Sequence, residues 1–235
     1  MCLLAARGMR AHFGAFPTPS FHMSRTLKVD LFTDIVCPWC LIGSVRLDKA
    51  IAELPEDVVV EVENHPFYLD PNTPPEGYDV AEMLKTKYGR EPKEMWARPE
   101  AEAKKSGIDL DLSQQPRTFP TQKAHTLVRL AKAKGTQHAL ANAIAAAYFL
   151  EHRQVNDDAV LAEIATGFGF TREEALSDIN DPRELAVSHE LAIAAAQQGI
   201  QGVPFFIFDN RFAVSGAQPE DVFDMAFKKA LEEAA

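Results

Sequence analysis

Two of the three cysteines in this 235-residue chain are separated by two residues, in the motif Cys37-Pro38-Trp39-Cys40. The apolar run over 28–36 predicts a buried strand that ends just before the motif, and Pro38 favours the first turn of a helix. The first turn of a helix offers unpaired N–H groups and partial positive charge, which stabilise a thiolate and lower the pKa of a cysteine. The motif therefore predicts a redox-active pair, with Cys37 as the exposed nucleophile and Cys40 as the more buried resolving thiol.

Two other interpretations of the cysteine pair remain open. A Cys-x-x-Cys motif can form half of a zinc site, but structural zinc takes four ligands, and the chain has no second such pair. His65 and His125 could complete a zinc site, although neither has the usual spacing. Two incidental core cysteines are the third interpretation. The strand–Cys–Pro–helix context favours redox chemistry over both, so the sequence predicts no metal site.

A second motif, Gly202-Val203-Pro204-Phe205-Phe206, places a proline at the start of an apolar strand. Proline fits there because the first residue of a strand can lack a ladder N–H. If the Val203–Pro204 bond were cis, the Val203 backbone could face the disulfide and pair with an extended peptide. A trans bond is the commoner arrangement, and the sequence does not decide between them.

The elements that must position these motifs follow from periodicity. A strand over 28–36, an amphipathic helix from the motif to Pro55 and a β-branched strand over 58–62 form one βαβ unit with parallel strands. Helical patterns follow near 79–88, 91–106, 121–134, 137–152, 157–168, 171–179 and 182–198, with Pro99 expected to split the second. The chain then returns to a strand ending at Phe208, a tight turn at Asp209-Asn210, a second strand and a helix opened by Pro219.

This order, βαβ, a helical block and ββα, predicts an α/β fold in which the two outer parts share one mixed sheet. We expect an α/β domain formed by 27–73 and 199–235, and an inserted helical subdomain over 74–198. Residues 1–26 form an extension without stable structure in this interpretation, and Cys2 has no assigned function. A transit-like segment is one alternative, because the first acidic residue is Asp30. A true start at Met23 is the other alternative.

Composition restricts the partners. The formal net charge of −10 argues against nucleic acid and against an anionic membrane surface, both of which favour clustered Lys and Arg. No apolar run approaches the roughly 20 residues that span a bilayer. Three cysteines are too few for a disulfide-stapled secreted domain, so the sequence predicts a cytoplasmic protein.

The chain resembles the DsbA-like thioredoxin superfamily, and within it the FrnE-like group. Four segments carry the resemblance, which covers about 27–233: DIVCPWCLIG (34–43), KAHTL (123–127), GIQGVPFF (199–206) and AVSGAQ (213–218). The resemblance implies a thioredoxin fold with a large helical insertion, and a cis proline at Pro204 beside the cysteine pair. It also implies dithiol–disulfide exchange on protein or small-molecule thiol and disulfide substrates, without a cofactor except glutathione as a co-substrate.

The resemblance also assigns supporting residues. Pro38, Trp39, Val203, Pro204 and His125 are expected to shape the site or bind substrate. The segment 215–218 is a turn and helix entry that could also contact small thiols.

Three departures from the family pattern affect the expected mechanism. Leu41 stands where relatives often have Tyr, and no cysteine follows Cys40. Leu31, six residues before Cys37, occupies the position where thioredoxins and DsbA commonly place a buried acid. Asp34 is nearer in sequence but is expected to face elsewhere. We therefore expect proton transfer to Cys40 to use water or another group.

The sequence thus predicts a dithiol oxidoreductase, and in a reducing cytoplasm a reductase or isomerase. One alternative is a glutathione-dependent enzyme of the kappa-class transferase or 2-hydroxychromene-2-carboxylate isomerase type. In those enzymes the thiol of glutathione does the chemistry and Ser commonly replaces the first Cys, so the presence of Cys37 argues against it. The other alternative is a chaperone-like binder with an apolar groove around Trp39.

Overall fold

The computed structural model describes residues 25–233, and its secondary structure follows the predicted order. The strands are β1 (Arg25–Thr33), β2 (Val58–Pro66), β3 (Tyr78–Asp79), β4 (Arg117–Thr118), β5 (Phe205–Phe208) and β6 (Phe212–Ser215). The helices are α1 (Pro38–Ala52), α2 (Val80–Tyr88), α3 (Pro92–Lys105), α4 (Gln122–Ala131), α5 (Gln137–Phe149), α6 (Asp158–Thr166), α7 (Arg172–Asp178), α8 (Pro182–Gln197) and α9 (Glu220–Glu233).

Four strands form one mixed sheet in the order β2-β1-β5-β6. β1 pairs in parallel with β2, while β5 pairs antiparallel with both β1 and β6. Asp209 and Asn210 form the hairpin turn between β5 and β6 with φ of 48° and 56°, as their side chains predict. The predicted α/β class, a thioredoxin fold with a helical insertion, is confirmed.

The two faces of the sheet bury different helices. Alternate residues of β1 and β5 pack with α1 and α9 around the fully buried side chains Leu27, Val29, Leu31, Phe206, Phe208, Phe223 and Phe227. On the opposite face, Phe32 packs against Ala195 of α8 and against Ile200. Because strand side chains alternate between faces, Leu31 belongs to the apolar core under α1, and the next residues lead out toward the cysteine motif.

The remaining helices have a second apolar core of their own. It is formed mainly by α3 to α7, and Ile35, Leu41 and Ile42 of the motif region join it. This core therefore packs directly against the start of α1. The predicted boundaries of the inserted subdomain, 74–198, stay a prediction, and α8 within them covers the sheet.

One local expectation was wrong, and two other features were not expected. Pro99 does not split a helix: α3 runs through it, and the buried Pro99 ring lines a cavity, so packing there offsets the hydrogen bond that proline cannot make. β1 begins at Arg25, two residues inside the expected extension, because the Arg25 N–H donates to the Asp57 carbonyl oxygen at 2.8 Å. The two-residue pairing of β3 with β4 was not expected from the sequence.

The rest of the expected extension, including Cys2, lies outside the described residues. Within 25–233, no helix combines the length and apolar character needed to cross a membrane.

Candidate active site

Cys37 is the N-cap residue of α1, and Pro38 is the first residue of the helix. The Cys37 carbonyl oxygen accepts hydrogen bonds from the N–H groups of Cys40 at 3.0 Å and Leu41 at 3.3 Å. Ile35 and Val36 form a turn, which the Cys37 N–H closes by donating to the Asp34 carbonyl oxygen at 3.2 Å. The predicted placement of the first thiol at the positive end of a helix is therefore present in the fold.

Cys37 and Cys40 are free thiols that lie 3.4 Å apart. Both residues are only 4% exposed, so the expectation that Cys37 would be an exposed nucleophile was wrong. The reason is the helical block: Trp39 packs against its core, and the Arg98 guanidinium of α3 lies 5.3 Å from the centre of the Trp39 ring. The two thiols differ in the cavities that they face rather than in their exposure.

Burial raises the pKa of the Cys40 thiol well above its usual value. A hydrogen bond with Cys37 raises this pKa further, and the backbone N–H of Asp34 opposes the shift. Cys40 therefore keeps its proton at neutral pH and can donate it in a hydrogen bond to the sulfur of Cys37. The division between a nucleophile and a resolving thiol stays a prediction.

The Val203–Pro204 peptide bond is cis, and the Val203 carbonyl oxygen lies 3.8 Å from the Cys37 sulfur. Gly43 of α1 makes this approach possible, since a Cβ there would lie 2.8 Å from Cγ of Pro204. The Pro204 carbonyl oxygen also accepts from the N–H of Gly216 at 2.8 Å. The two motifs, separated by more than 160 residues in sequence, thus meet at one sulfur atom.

A cavity of about 370 Å³ opens beside Cys37. Pro38, Trp39 and Val203 line it on the side of the sheet, so three of the predicted site-shaping residues lie around the same space. The opposite wall is largely apolar and comes from α2 and α3, with Val80, Met83, Leu84, Met95, Trp96 and Pro99. The cavity can hold a small apolar group or an extended side chain next to the thiol.

Asp34 also lines this cavity and is buried, contrary to the expectation that it would face elsewhere. It follows the last residue of β1, where the chain leaves the strand and turns, so strand alternation no longer fixes its direction. Its Oδ2 accepts from the N–H of Leu69 at 2.9 Å, and its Oδ1 lies 3.2 Å from Nε2 of His125. No feature of the sequence indicated that residue 69 would hold this carboxylate.

His125 is 3% exposed and lies behind Asp34, outside the set of residues that line the cavity. Its ring lies 5.8 Å from that of Tyr68. The structure therefore places His125 near the site, through its contact with Asp34, and not in contact with the space beside Cys37.

Cys40 faces a different and much smaller cavity of about 20 Å³, which has room for one water molecule. Half of its lining residues are polar, namely Thr33, Asp34, Ser44, Asn64 and Asn142. Ser44 donates to Oδ1 of Asn142 at 2.6 Å, and Asn142 donates to Oδ2 of Asp48 at 2.9 Å. Ser44 lies one helical turn after Cys40, which the sequence could have indicated, but the partner helix α5 could not be inferred.

A third cavity, of about 440 Å³, lies on the other side of Trp39 and Val203. The segment Gly216-Ala217-Gln218 and the side chains of Arg46, Arg98 and Glu102 line it. Arg46 is buried and donates to the carbonyl oxygens of Ala217 and Gln218 at 2.8 and 3.2 Å. The turn expected at 215–218 is thereby fixed next to the site.

Among the described residues, Asp30, Glu63 and His65 form a group whose possible metal-ligating atoms all lie within 4.8 Å of one another. The Lys28 ammonium pairs with Asp30 at 3.0 Å and Glu63 at 2.9 Å, and Lys132 also pairs with Glu63, so two lysines already balance the two carboxylates. His65 belongs to this group on the sheet, rather than completing a site with the cysteines.

Comparison with known proteins agrees with this geometry. A family model described as the DSBA-like thioredoxin domain matches residues 28–228. A crystal structure of a probable DsbA oxidoreductase from Streptomyces coelicolor is 36% identical, with a TM-score of 0.79, over 88% of this chain and 91% of that chain.

Two more distant solved structures share the fold. The cytosolic disulfide reductase DsbM from Pseudomonas aeruginosa, determined with glutathione, is 19% identical with a TM-score of 0.63, over 87% of this chain and 99% of that chain. A 2-hydroxychromene-2-carboxylate isomerase is 15% identical with a TM-score of 0.69, over 88% of this chain and 97% of that chain.

Proposed function

Because this chain belongs to the DSBA-like thioredoxin domain family, we propose that it is a thiol–disulfide oxidoreductase that uses Cys37 and Cys40. The observation that carries the proposal is the meeting of three groups at one place. Cys37 is the N-cap residue of a helix, the thiol of Cys40 lies 3.4 Å away, and the Val203 carbonyl oxygen lies 3.8 Å from the Cys37 sulfur.

In the proposed reaction the Cys37 thiolate attacks one sulfur of a substrate disulfide, RS–SR. A Cys37–S–S–R bond forms and one RS⁻ leaves, which takes up a proton. Cys40 then loses its proton and attacks the Cys37 sulfur, so that a Cys37–Cys40 disulfide forms and the second RS⁻ leaves. The substrate disulfide is reduced by two electrons, and the protein dithiol is oxidised by two electrons.

The site supports small or extended substrates. The cavity of about 370 Å³ beside Cys37 (the large cavity) is bounded by α2 and α3, and the exposed fraction of Cys37 is 4%. The Val203 backbone, whose carbonyl oxygen lies 3.8 Å from the Cys37 sulfur, is placed where it could pair with an extended peptide. We propose protein or small-molecule disulfides as substrates, a place in the FrnE-like group, and a cytoplasmic location in which the resting state is the dithiol.

The first experiment is a redox titration in glutathione buffers, using full-length protein that carries Cys2→Ser so that only two thiols remain. Thiol alkylation followed by mass measurement reports the fraction of dithiol, disulfide and glutathione adduct. We expect a reversible two-electron transition. A midpoint near about −270 mV, as in thioredoxin, would indicate a reductase, and one near about −120 mV, as in DsbA, an oxidant. If no internal disulfide forms, the proposal is wrong.

The third cavity favours a second candidate function, a glutathione-dependent transferase or isomerase. It lies next to Trp39 and Val203 and contains the exposed guanidinium of Arg98, which suits a carboxylate of a small peptide thiol, whereas the Arg46 guanidinium is already held by Glu102. In this alternative the thiol of bound glutathione replaces Cys37 as the reacting sulfur. Calorimetric titration of glutathione into Cys37→Ser protein tests it: tight binding supports the alternative, and absence of binding removes it.

A further inference from the structure

We propose that the Asp34 carboxylate takes the proton from Cys40 in the resolving step and passes it to the departing substrate thiolate. This inference rests on the proposed function, since it assigns a role within the same exchange reaction. It identifies a catalytic residue in a chain whose strand position for a buried acid is filled by Leu31.

The position of Asp34 between two cavities carries the inference. Asp34 and Cys37 line the large cavity, where the substrate sulfur must lie when a Cys37–substrate disulfide exists. Asp34 and Cys40 line the small cavity of about 20 Å³, which accommodates a single water molecule. Within the described residues, Asp34 is the one carboxylate that lines both. A water in the small cavity can therefore connect the Cys40 thiol with the same carboxylate that faces the leaving group.

The other groups around the small cavity do not provide a base. Thr33, Ser44, Asn64 and Asn142 do not ionise in the working range of pH. Leu31 is fully buried in the apolar core under α1.

The neighbours of Asp34 leave it free to act. Its nearest titratable partners are Cys37 and Cys40 on α1, Tyr68, His125 on α4 and Tyr148 on α5. Burial raises the pKa of both tyrosine hydroxyls, and the Asp34 charge adds to this shift, so both stay protonated. Asp70 and Lys87 line the large cavity, but neither lines the small one.

Two hydrogen bonds fix the carboxylate in place. The N–H of Leu69 donates to Oδ2, and Nε2 of the buried His125 lies 3.2 Å from Oδ1. His125 acts as a positioning residue, because it contacts Asp34 and lines neither cavity. A carboxylate held in this way can accept a proton without changing its position.

The proposed step is balanced as follows. In the mixed disulfide, Cys40–SH gives its proton to Asp34 through water, and the resulting thiolate attacks the sulfur of Cys37. The Cys37–S–S–R bond breaks and the Cys37–S–S–Cys40 bond forms, while RS⁻ leaves into the large cavity. The protonated Asp34 then transfers its proton to RS⁻, which yields RSH and restores the carboxylate. No further oxidant or reductant is required.

The test separates the two steps of exchange by stopped-flow absorbance. Reduced protein carrying Cys2→Ser is mixed, over a range of pH, with an excess of an aromatic disulfide. Each step releases one aromatic thiol, which ionises in bulk solvent to a coloured thiolate. For Asp34→Asn we expect the second phase to slow by about 100-fold, the lower end of the range for general base catalysis. The first phase should change by less than the second, since Cys37 attack does not need this proton transfer.

The pH profile distinguishes a chemical role from a structural one. We expect the rate of the second phase in the parent protein to level off as pH rises. In Asp34→Asn we expect this rate to keep rising in proportion to the hydroxide concentration. Glu53→Gln is the matched control, because it removes an exposed carboxylate at the end of α1 that lines neither cavity. Its second phase should stay close to that of the parent protein.

A second phase in Asp34→Asn as fast as in the parent protein at every pH would overturn the inference. If Asp34→Asn does not fold, the parent profile decides, since a second phase proportional to hydroxide throughout would also overturn it. Failure of the first phase in the parent protein would instead remove the proposed function, so the two failures are distinguishable.

Discussion

The surroundings of Cys37 and Cys40 differ although both residues are equally buried. Cys37 faces a cavity of about 370 Å³ bounded by α2 and α3, whereas Cys40 faces a cavity of about 20 Å³. One sulfur therefore has room for a substrate, and the other has room only for a water molecule. The comparison shows that cavity volume, rather than exposed area, distinguishes the surroundings of the two thiols, in keeping with the roles proposed for them.

Substitution of each thiol in turn should give the largest effect on disulfide exchange. If both substitutions gave the same result, the difference between the two cavities would have no consequence for the reaction. We expect Cys37→Ser to lose all disulfide exchange, because the remaining thiol cannot reach a substrate through the small cavity. We expect Cys40→Ser to react once and stop as a mixed disulfide, because the resolving thiol is missing. Mass measurement after addition of a small disulfide detects the adduct.

Cys2→Ser provides the control for this pair, and its exchange rate should equal that of the parent protein. If Cys37→Ser formed a stable adduct through Cys40, the assignment of the two cavities would be reversed.

Substitution of His125 tests how Asp34, which lines both cavities, is held in place. We expect His125→Leu to lower the free energy of unfolding by about 1–3 kcal/mol, because it leaves Oδ1 of the buried Asp34 without this partner. The second phase of exchange should slow as well, since Asp34 is no longer held. Urea denaturation and stopped-flow absorbance measure the two effects.

The matched control is His189→Leu, because His189 stacks on the same Tyr68 ring and is only partly buried. A loss of stability in the control as large as that in His125→Leu would assign the effect to packing on Tyr68.

Gly43→Ala tests the Cys37 side alone. The added Cβ would lie 2.8 Å from Cγ of Pro204, so Val203 and Pro204 must move relative to Cys37. We expect the free energy of unfolding to fall by about 1–2 kcal/mol, the cost of overpacking less the gain in helix propensity. The first phase of exchange should slow more than the second.

Gly167→Ala is the control, since Gly167 has a negative φ and its added Cβ would make only an ordinary contact at 3.5 Å. An equal effect in both variants would show that the contact with Pro204 does not limit the position of Val203.

The local structure around the cysteines could be predicted from the sequence, and the features that could not be predicted have a common physical cause. The strand, Cys-Pro and helix start are local features, so residues 28–40 alone indicate a thiol at a helix N-terminus. The turn at Asp209-Asn210 is local in the same way. The pairing of Cys37 with Val203 came from the resemblance, since no local pattern connects them.

The burial of Cys37 and the position of Asp34 could not be predicted because both depend on contacts between distant elements. α3 covers Trp39 through Arg98, and Leu69 and His125 hold Asp34 from a loop and from α4. Asp34 itself left the strand alternation because Ile35 and Val36 turn. Pro99 shows the converse case, in which helix packing overrode the local preference of proline.

The smallest predicted effect concerns the buried guanidinium that joins the wall of the third cavity to α1. Hydrogen bonds from Arg46 and Lys105 lower the pKa of Glu102 to about 2 from its usual 4.5. A carboxyl whose pKa is lower in the folded state stabilises the fold above pH 4.5, and this contribution is lost as pH falls toward 2. We expect Glu102→Gln to flatten this part of the stability profile, measured as the urea midpoint from pH 5 to about 2.

Glu94→Gln is the control, because Glu94 and its partner Arg90 are 64% and 61% exposed. Neither variant should change the second phase of exchange, because Glu102 lines the third cavity and not the small cavity that Cys40 faces. A slower second phase in Glu102→Gln would show that the surroundings of the two thiols are not independent.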